Sequence, residues 1–436
     1  MRLLPPTADA NARRLLIGRS LRAAADGFVS VILPAYLLAL GLDAFEVGVL
    51  SSATLLGSAV LTLVTGFIIG RFGHRGPLLA AAGLMVFTGL GFAGQQSFWP
   101  LLLVGFVGTL NPSGGDVSVF LPIEQSLLAQ SVADQDRTAL FARYSLAGSL
   151  LGALGTLVAA VPDLAAAWLG LAPLVAMQGL FVLYAAIGLL SAWVYRGISE
   201  PAHHERPKVQ PLGPSRGIVY RMAALFSIDA FSGGLLVQSL LVLWLFQRFG
   251  VSVTLAASVF FWTGILSALS MLAAVPIARR IGLVRTMVFT HLPSNFCLVA
   301  IPFVSDLGVV IALLLLRSLL SQMDVPTRNS YVMAVVTPPE RPAAASVTSV
   351  PRSLASAIGP LIAGSLFTVS TFGWPLLLGG LLKSGYDVAL LLMFRHIRPP
   401  EEQAHARTPS GTTSASPESS SSTSTTRRNP ASSRWP

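Results

Sequence analysis

The sequence has few charged residues and a single cysteine. Asp, Glu, Lys and Arg make up only 11% of the 436 residues, against about 25% in soluble globular domains. Hydrophobic residues reach 53% and the mean hydropathy is +0.69, which is more apolar surface than a soluble fold can hide from water. Cys297 alone can form neither an intrachain disulfide nor a cysteine-based metal cage. The composition therefore predicts a protein that lies in a lipid bilayer.

The sequence also lacks a Walker-type nucleotide-binding loop, and its six histidines show no metal-ligand spacing. A G-x-G-x-x-G match from Gly89 to Gly94 lies inside an apolar run with no preceding strand, so it indicates close helix packing. His291 stands alone on its apolar run and is interpreted as incidental polarity. We expect no cofactor, no bound metal and no enzymatic activity.

Twelve apolar runs are long enough to cross a bilayer. A hydrocarbon core of about 30 Å needs roughly 20 apolar residues in a helix, and backbone groups in lipid must be hydrogen-bonded within their own segment. The runs are Ile17–Gly41, Phe45–Gly70, Pro77–Ser97, Trp99–Gln130, Thr138–Val161, Leu169–Val194, Val219–Phe246, Val251–Ala278, Thr286–Val304, Leu307–Ala334, Ala343–Ser370 and Trp374–Phe394. The sequence therefore predicts an all-α membrane protein with twelve transmembrane helices.

The basic residues predict the orientation of the chain. Of the 29 lysines and arginines, 23 lie on the side of the two termini, including those at the span ends that face it, five lie deep within spans, and one, Arg248, lies on the opposite side. Because basic residues stay on the cytoplasmic side of short loops, we expect both termini in the cytoplasm and the protein in the cell membrane. The net charge of +10 is thus a sign of topology, and no nucleic-acid partner is expected. Four tryptophans are expected to form an aromatic belt at the outer side: Trp99, Trp168, Trp244 and Trp374.

The N-terminus resembles a signal peptide because four arginines precede an apolar run: Arg13, Arg14, Arg19 and Arg22. The run contains Asp26, however, and a second span follows at once. It is therefore interpreted as the first helix of the mature chain.

The spans divide six and six around a Pro-rich polar stretch near residues 195–216. Predicted boundaries are 1–197 for the first six-helix bundle, 198–217 for a cytoplasmic linker and 218–397 for the second bundle. Residues 398–436, rich in Ser and Thr, are expected to be disordered. The two halves match without gaps at offsets of 209 and 204 residues, through Gly41 and Gly250, Arg71 and Arg280, Gly73 and Gly282, Pro122 and Pro326, and Gly155 and Gly359. Such repeats are typical of secondary transporters.

The chain resembles the major facilitator superfamily over about residues 15–396. Its segment between the second and third spans reads Gly66-Phe67-Ile68-Ile69-Gly70-Arg71-Phe72-Gly73-His74-Arg75, similar to the family's best-known motif, although the usual acidic residue is replaced by Gly70. The resemblance implies two pseudo-symmetric six-helix bundles that rock around a central cavity lined by helices 1, 4, 7 and 10. It also implies a cytoplasmic gating loop that includes Gly66, Arg71, Gly73 and Arg75. We expect a monomer.

Ionisable residues within spans are candidate functional groups, because each costs about 2.5–3.5 kcal/mol to insert. The candidates deep within the predicted spans are Asp26, Asp116, Glu124, Arg143, Asp229, Arg317, Asp324, Arg328, Arg352, Lys383 and Asp387. Seven of them lie on helices 1, 4, 7 and 10, where the resemblance implies a cavity. We expect eight of them to contact substrate or protons: Asp26, Asp116, Glu124, Arg143, Asp229, Arg317, Asp324 and Arg328.

Spacing supports specific roles for several of these residues. Asp26 and Asp229 lie at similar depth in the first and seventh spans, as near-symmetric partners that could bind a proton or a cationic substrate, or make structural hydrogen bonds. Arg317, Asp324 and Arg328 share one face of the tenth helix. That face lines a cavity, unless an Asp324–Arg328 pair merely locks the helix.

Two further pairs are predicted. The fourth span is interrupted at Asn111–Gly115, directly before Asp116. Beyond this break, Glu124 and Arg143 stand at similar depth on antiparallel helices and are expected to pair. Lys383 and Asp387 are four residues apart on the last helix and are interpreted as a structural pair.

The sequence favours a secondary active transporter that exports a small organic compound, drug-like or cationic, in exchange for protons. One alternative is a facilitator or symport importer of a polar or anionic metabolite, with Arg317 and Arg328 as binding groups. Another is a membrane enzyme or sensor, although the loops are short and poor in catalytic residue types.

Overall fold

The computed structural model describes residues 4–113, 118–200 and 211–394. For residues 66–72, 134–135, 279, 326, 329–330, 333–334, 338 and 342 it describes the backbone alone. Asp116, most of the predicted linker and the predicted Ser/Thr-rich tail lie outside the described residues.

Within the described part the chain forms sixteen α-helices. They are α1 (Ala10–Ala39), α2 (Ala44–Phe72), α3 (Arg75–Gly94), α4 (Phe98–Val107), α5 (Phe120–Gln130), α6 (Asp134–Val158), α7 (Val161–Leu169), α8 (Pro173–Arg196), α9 (Arg216–Gly234), α10 (Gln238–Phe249), α11 (Val253–Ile281), α12 (Leu283–Ala300), α13 (Leu307–Ser321), α14 (Asp324–Val335), α15 (Arg341–Val369) and α16 (Trp374–Phe394). Ten segments are long and apolar enough to cross a membrane. Two more crossings, α4 with α5 and α13 with α14, are interrupted helices, which confirms the twelve-helix fold.

The interruptions recur at equivalent places. The predicted break in the fourth crossing separates α4 from α5, and Pro122 is the third residue of α5. Pro326 is likewise the third residue of α14, after the break in the tenth crossing. Proline fits the first turn of a helix, where its missing N–H has no helical acceptor. The offset that relates these two prolines in the sequence therefore relates two restarted helices in the fold.

Helix packing repeats between the halves. In the first half α1 packs along α6, α3 along α8, and α2 along α4. In the second half the same contacts join α9 to α15, α12 to α16, and α11 to α13. The contacts between the halves join α6 to α11 and α2 to α15, and swapping equivalent helices of the two halves converts one of these contacts into the other. This is the predicted pseudo-symmetric pair of six-helix bundles.

Close backbone contacts hold equivalent helices together. A Cβ on Gly27 of α1 would lie 2.1 Å from the carbonyl oxygen of Gly152 on α6. A Cβ on Gly234 of α9 would lie 2.2 Å from the carbonyl oxygen of Ser356 on α15. Residues 152 and 356 are separated by 204 positions, the repeat offset of the sequence. Small residues at these points let the backbones of neighbouring helices touch.

We name the two ends of the bundle by the chain: the terminal face is where α1 begins and α16 ends, and the distal face is opposite. The bundles contact each other toward the distal face. The Ser52 hydroxyl oxygen accepts a 2.8 Å hydrogen bond from the Leu361 backbone N–H. Near the distal end, Asp163 of α7 accepts hydrogen bonds from the backbone N–H (3.0 Å) and hydroxyl (2.7 Å) of Thr254, in the first turn of α11. These contacts close the distal side.

Three of the four tryptophans expected in the aromatic belt are exposed near the distal face: Trp99, Trp168 and Trp374. The prediction for Trp244 is wrong. This side chain is fully buried, and its indole N–H donates a 3.0 Å hydrogen bond to the backbone carbonyl of Thr371. Its span continues past it to Phe249, so Trp244 lies below the end of the helix, within reach of α16's first turn.

Candidate functional site

A cavity of about 830 Å³ lies between the bundles and extends from mid-depth toward the terminal face. Its volume falls in the range typical of small-molecule sites. The first bundle contributes α2 and α5 with the segment before it; the second contributes α9, α12, α13, α14, α15 and α16. Because the bundles are joined toward the distal face, the cavity is accessible from the terminal face.

Among the residues that the structure describes, the charged side chains of the cavity wall all belong to the second bundle. The first bundle lines the cavity with uncharged side chains: Leu55, Ser58, Ala59, Thr62, Ser118, Leu121, Pro122 and Gln125. The second bundle places four cationic groups and two carboxylates on the wall, together with His291. The cations are Arg317, Arg328, Arg352 and Lys383, and the carboxylates are Asp229 and Asp324. The described cavity wall therefore carries net positive charge even with a neutral histidine.

The two carboxylates neutralise only part of the basic set. Lys383 Nζ lies 2.5 Å from Asp229 Oδ1. Arg328 Nη1 lies 3.3 Å from Asp229 Oδ2 and 2.9 Å from Asp324 Oδ2. The Asp324–Arg328 pair is thus present within α14, but Arg328 also reaches α9. The pair does more than lock its own helix.

The other two arginines retain donor capacity. Arg317 lies on α13, and Arg352 lies on α15. The Nε atom of each is buried and has no hydrogen-bond partner among the described residues. A buried guanidinium donor without a partner loses the free energy of the missing hydrogen bond. A ligand with acceptor oxygens can supply that partner.

A second buried ion pair lies inside the first bundle. Arg22 Nη2 donates to Glu124, and Arg22 Nε donates a 3.0 Å hydrogen bond to the Tyr195 hydroxyl oxygen. The Tyr144 hydroxyl donates to Glu124 Oε2, and the Tyr195 hydroxyl donates to Oε1 at 2.6 Å. The Arg22 guanidinium also stacks over the Phe120 ring, 3.9 Å from its centroid. Each of the four polar side chains is at most 2% exposed, and the described cavity wall includes none of them.

The family comparison follows the same architecture. The family model described as Major Facilitator Superfamily matches residues 15–316 and 222–433. The chain belongs to the Major Facilitator Superfamily. An uncharacterised membrane protein of Saccharomyces cerevisiae is 22% identical over 410 residues, covering 86% of this chain and 92% of the yeast protein.

Solved structures of other transporters share the fold. A mutant of the nucleoside transporter NupG superposes with a TM-score of 0.70 at 12% identity, covering 88% of this chain and 100% of that one. The human organic anion transporter MFSD10 (TETRAN) superposes with a TM-score of 0.61 at 20% identity, with the same coverage. This major facilitator protein is therefore a multi-pass membrane transporter, and not an enzyme.

The two ion pairs of this major facilitator protein occupy equivalent positions with opposite charges. Arg22 lies five residues before Gly27, as Asp229 lies five residues before the equivalent Gly234. Glu124 and Arg328 are related by the repeat offset of 204 residues. An arginine–glutamate pair in the first bundle thus corresponds to an aspartate–arginine pair in the second. The equivalent of Asp229 is Arg22, and not Asp26 as the sequence suggested.

Asp26 is 7% exposed and lies near Arg19, Arg22 and Asn111, inside the first bundle. It does not belong to the described cavity wall. Since Arg22 is four residues before it, both side chains lie on one face of α1. The cavity role predicted for Asp26 has no support from this arrangement and stays a prediction.

Two predicted ion pairs are wrong. Glu124 pairs with Arg22 rather than with Arg143, whose half-buried side chain lies on α6. The side chain of α6 that reaches Glu124 is Tyr144, and successive residues of a helix point about 100° apart. Lys383 pairs with Asp229 rather than with Asp387. Asp387 instead contacts His291 and Asn295 of α12.

The predicted gating loop begins within α2, which contains Gly66 and Arg71 and continues to Phe72; only Gly73 and His74 lie between α2 and α3, and Arg75 starts α3. The side chains of Gly66 to Phe72, including Arg71, are outside the described set, whereas Arg75 is exposed at the start of α3. Gly73 has φ 71° and its repeat partner Gly282 has φ 90°, a conformation that L side chains avoid. The Glu200 carboxylate accepts hydrogen bonds from the backbone N–H groups of His74 (3.0 Å) and Arg75 (2.6 Å). A carboxylate from beyond α8 thus caps α3 in this loop, where Gly70 replaces the family's acid.

The sequence analysis missed several side chains of the site. His291 was interpreted as incidental, although it lines the cavity and hydrogen-bonds to Asp387. Arg352 and Lys383 were given no binding role, although both lie on the cavity wall. A detectable signal existed for Arg22, because it precedes Asp26 by one helical turn. No local spacing signals the pairing of His291 with Asp387, which is 96 residues away.

Proposed function

We propose that this protein is a secondary transporter of small organic anions that works by alternating access and carries protons in the same direction. The observation that carries the proposal is the charge of the described cavity wall, where the second bundle places four cationic side chains against two carboxylates. A net positive, partly desolvated wall favours an anion and disfavours a cation. This supports the symport interpretation over the proton-exchanging export of a cation that the sequence favoured.

The arginine chemistry supports the same substrate class. A guanidinium offers several N–H donors in a fixed planar arrangement that suits carboxylate and phosphate oxygens. Arg317 and Arg352 hold Nε donors for which the described residues supply no acceptor. The structural neighbour named as a human organic anion transporter fits this proposal, although at 20% identity the likeness alone concerns the fold.

The orientation is part of the proposal. The excess of basic residues on the side of the termini supports a cytoplasmic terminal face in the cell membrane. In that orientation the cavity opens to the cytoplasm, and the contacts between Asp163 and Thr254 close the outer side. Rocking of the bundles would break these outer contacts and bring the terminal halves of the bundles together.

Transport by the purified protein in liposomes tests the substrate class. We expect exchange of labelled small carboxylates or phosphate esters from a panel that also contains organic cations and neutral nucleosides. Arg317→Gln and Arg352→Gln should each raise the anion concentration needed for half-saturation by about ten- to a hundredfold, since a hydrogen bond to a charged group contributes about 1.5–3 kcal/mol.

Arg248→Gln is the matched control, because Arg248 lies at the distal end of α10 and outside the described cavity wall. Its half-saturation should equal that of the wild type. Movement of cations but not anions, or anion exchange that both cavity variants leave unaltered, would refute the proposed substrate class.

A further inference from the structure

A polar cluster on α12 and α16 adjoins the cavity and is distinct from its arginines. His291 Nδ1 lies 3.1 Å from each carboxylate oxygen of Asp387. Asn295, one turn after His291, donates a 2.7 Å hydrogen bond from Nδ2 to Asp387 Oδ2. Asp387 is fully buried and Asn295 is 1% exposed. Of the three residues, only His291 belongs to the described cavity wall.

The carboxylate determines which nitrogen of the imidazole can accept a proton. An ionised Asp387 can only accept hydrogen bonds, so Nδ1 of His291 carries the hydrogen between them. In a neutral imidazole the other nitrogen, Nε2, then holds the lone pair. A proton from water in the cavity can bind Nε2, and Asp387 stabilises the resulting imidazolium. The proton returns to water from the same atom, without any other bond changing.

The charges around His291 link this protonation to the cavity. The titratable or charged groups that share the cavity wall with it or contact it are Asp229 on α9, Arg317 on α13, Asp324 and Arg328 on α14, Arg352 on α15, and Lys383, Tyr386 and Asp387 on α16. Asp229 and Asp324 are already engaged by Lys383 and Arg328. A protonated His291 therefore adds a positive charge to a wall that is positive already.

An anion in the cavity changes that balance. Its negative charge offsets the repulsion between an imidazolium at His291 and the arginines, so a bound anion and a bound proton stabilise each other, and this linkage is reciprocal. Proton and anion thus bind together and leave together, which is the condition for movement in the same direction.

We infer that His291, held by Asp387 and Asn295, is the proton-binding site that couples proton movement to anion transport. This inference rests on the proposed function. It assigns the coupling to the second bundle and to helices α12 and α16, and gives no coupling role to Asp26.

Two transport assays on the protein in liposomes test the inference. Exchange of labelled for unlabelled anion needs no net proton movement, whereas accumulation driven by a pH gradient does. With one proton per anion, a gradient of one pH unit supports about tenfold accumulation. His291→Gln should lose the gradient-driven accumulation; it should still exchange anion, but only at higher anion concentrations, because the positive charge that favours the anion is absent. Thr290→Val is the matched control, because the Thr290 hydroxyl bonds to the Thr286 carbonyl of its own helix; it should retain both activities.

A binding measurement on the wild type removes any dependence on variant folding. When anion is added to the detergent-solubilised protein in weak buffer, the protein should take up about one proton per bound anion, and the pH of the medium should rise. His291→Gln and, independently, Asp387→Asn should abolish this uptake. Variants are compared after gel filtration confirms a monodisperse protein.

The outcomes separate the two proposals. Absence of anion exchange by the wild type would refute the proposed function itself. Exchange without proton uptake in the wild type would leave anion transport standing and overturn the assignment of His291. Proton-driven accumulation by His291→Gln at the wild-type level would overturn it as well. Loss of exchange at every anion concentration in a folded His291→Gln protein would place His291 in anion binding and equally overturn the inference.

Discussion

Removal of Arg22 tests how the first bundle holds its buried charge. Arg22→Met keeps an apolar stem of similar length over the Phe120 ring but leaves Glu124 without its cation. Breaking one partner of a buried ion pair costs about 3–5 kcal/mol. Glu124 would keep hydrogen bonds from the hydroxyls of Tyr144 and Tyr195, so we expect the lower end, about 3 kcal/mol. Thermal unfolding in detergent should show a markedly lower midpoint.

The double variant Arg22→Met with Glu124→Gln separates lost charge from lost packing. The neutral amide introduced by the second substitution can still accept a tyrosine hydrogen bond and carries no uncompensated charge. We expect it to recover about 2 kcal/mol relative to Arg22→Met alone, because most of the cost lies in the unpaired buried charge. Since this cluster is separate from the described cavity wall, anion exchange should persist. Equal stability of Arg22→Met and the wild type, or a double variant less stable than Arg22→Met, would refute the reasoning.

Three further changes have expected outcomes. Gly359→Ala should lower the free energy of unfolding by about 1–3 kcal/mol, because its Cβ would lie 2.3 Å from the backbone of α9. Thermal unfolding should show this as a lower midpoint, whereas the midpoint of Gly83→Ala, whose Cβ meets open space, should not change. Asp163→Ala should increase labelling of a cysteine introduced at Gln238 from the distal side by roughly tenfold, because a lost helix cap costs about 1–2 kcal/mol. Burial alone would raise the pKa of Glu200, but the hydrogen bonds that its carboxylate accepts from the loop outweigh this effect and lower the pKa. The ionised carboxylate should therefore stabilise the fold fully above its ordinary pKa, and this stabilisation should disappear as the pH falls through the lowered value. The difference in thermal midpoint between the wild type and Glu200→Gln, measured against pH, should shrink over the same range.

Repeats and helix breaks were predictable because they depend on the backbone. Gly73 and Gly282 share a positive φ, and Pro122 and Pro326 both lie in the first turn of a restarted helix. Such positions tolerate few residue types, so the two halves of the sequence keep the same ones. The twelve crossings follow similarly from the length of apolar runs.

Partners of buried charges were not predictable from spacing. Lys383 and Asp387 share a helix face, yet Lys383 pairs with Asp229 and Asp387 with His291, because neighbouring helices bring those groups closer. Glu124 and Arg143 have similar depth, but the rotation of α6 directs Tyr144 to the carboxylate instead. Depth along a span is readable from a sequence, whereas rotation about the helix axis depends on contacts between helices that are far apart in the chain.

The inversion of charge between the two ion pairs means that the halves are no longer interchangeable. A tandem protein built from two copies of residues 1–197 would present the serine, threonine and leucine surface of α2 and α5 on both sides of its vestibule. Among the residues that the structure describes, such a wall would carry no charged side chain. The scaffold is common to both halves, whereas the electrostatics of the described vestibule come from one of them.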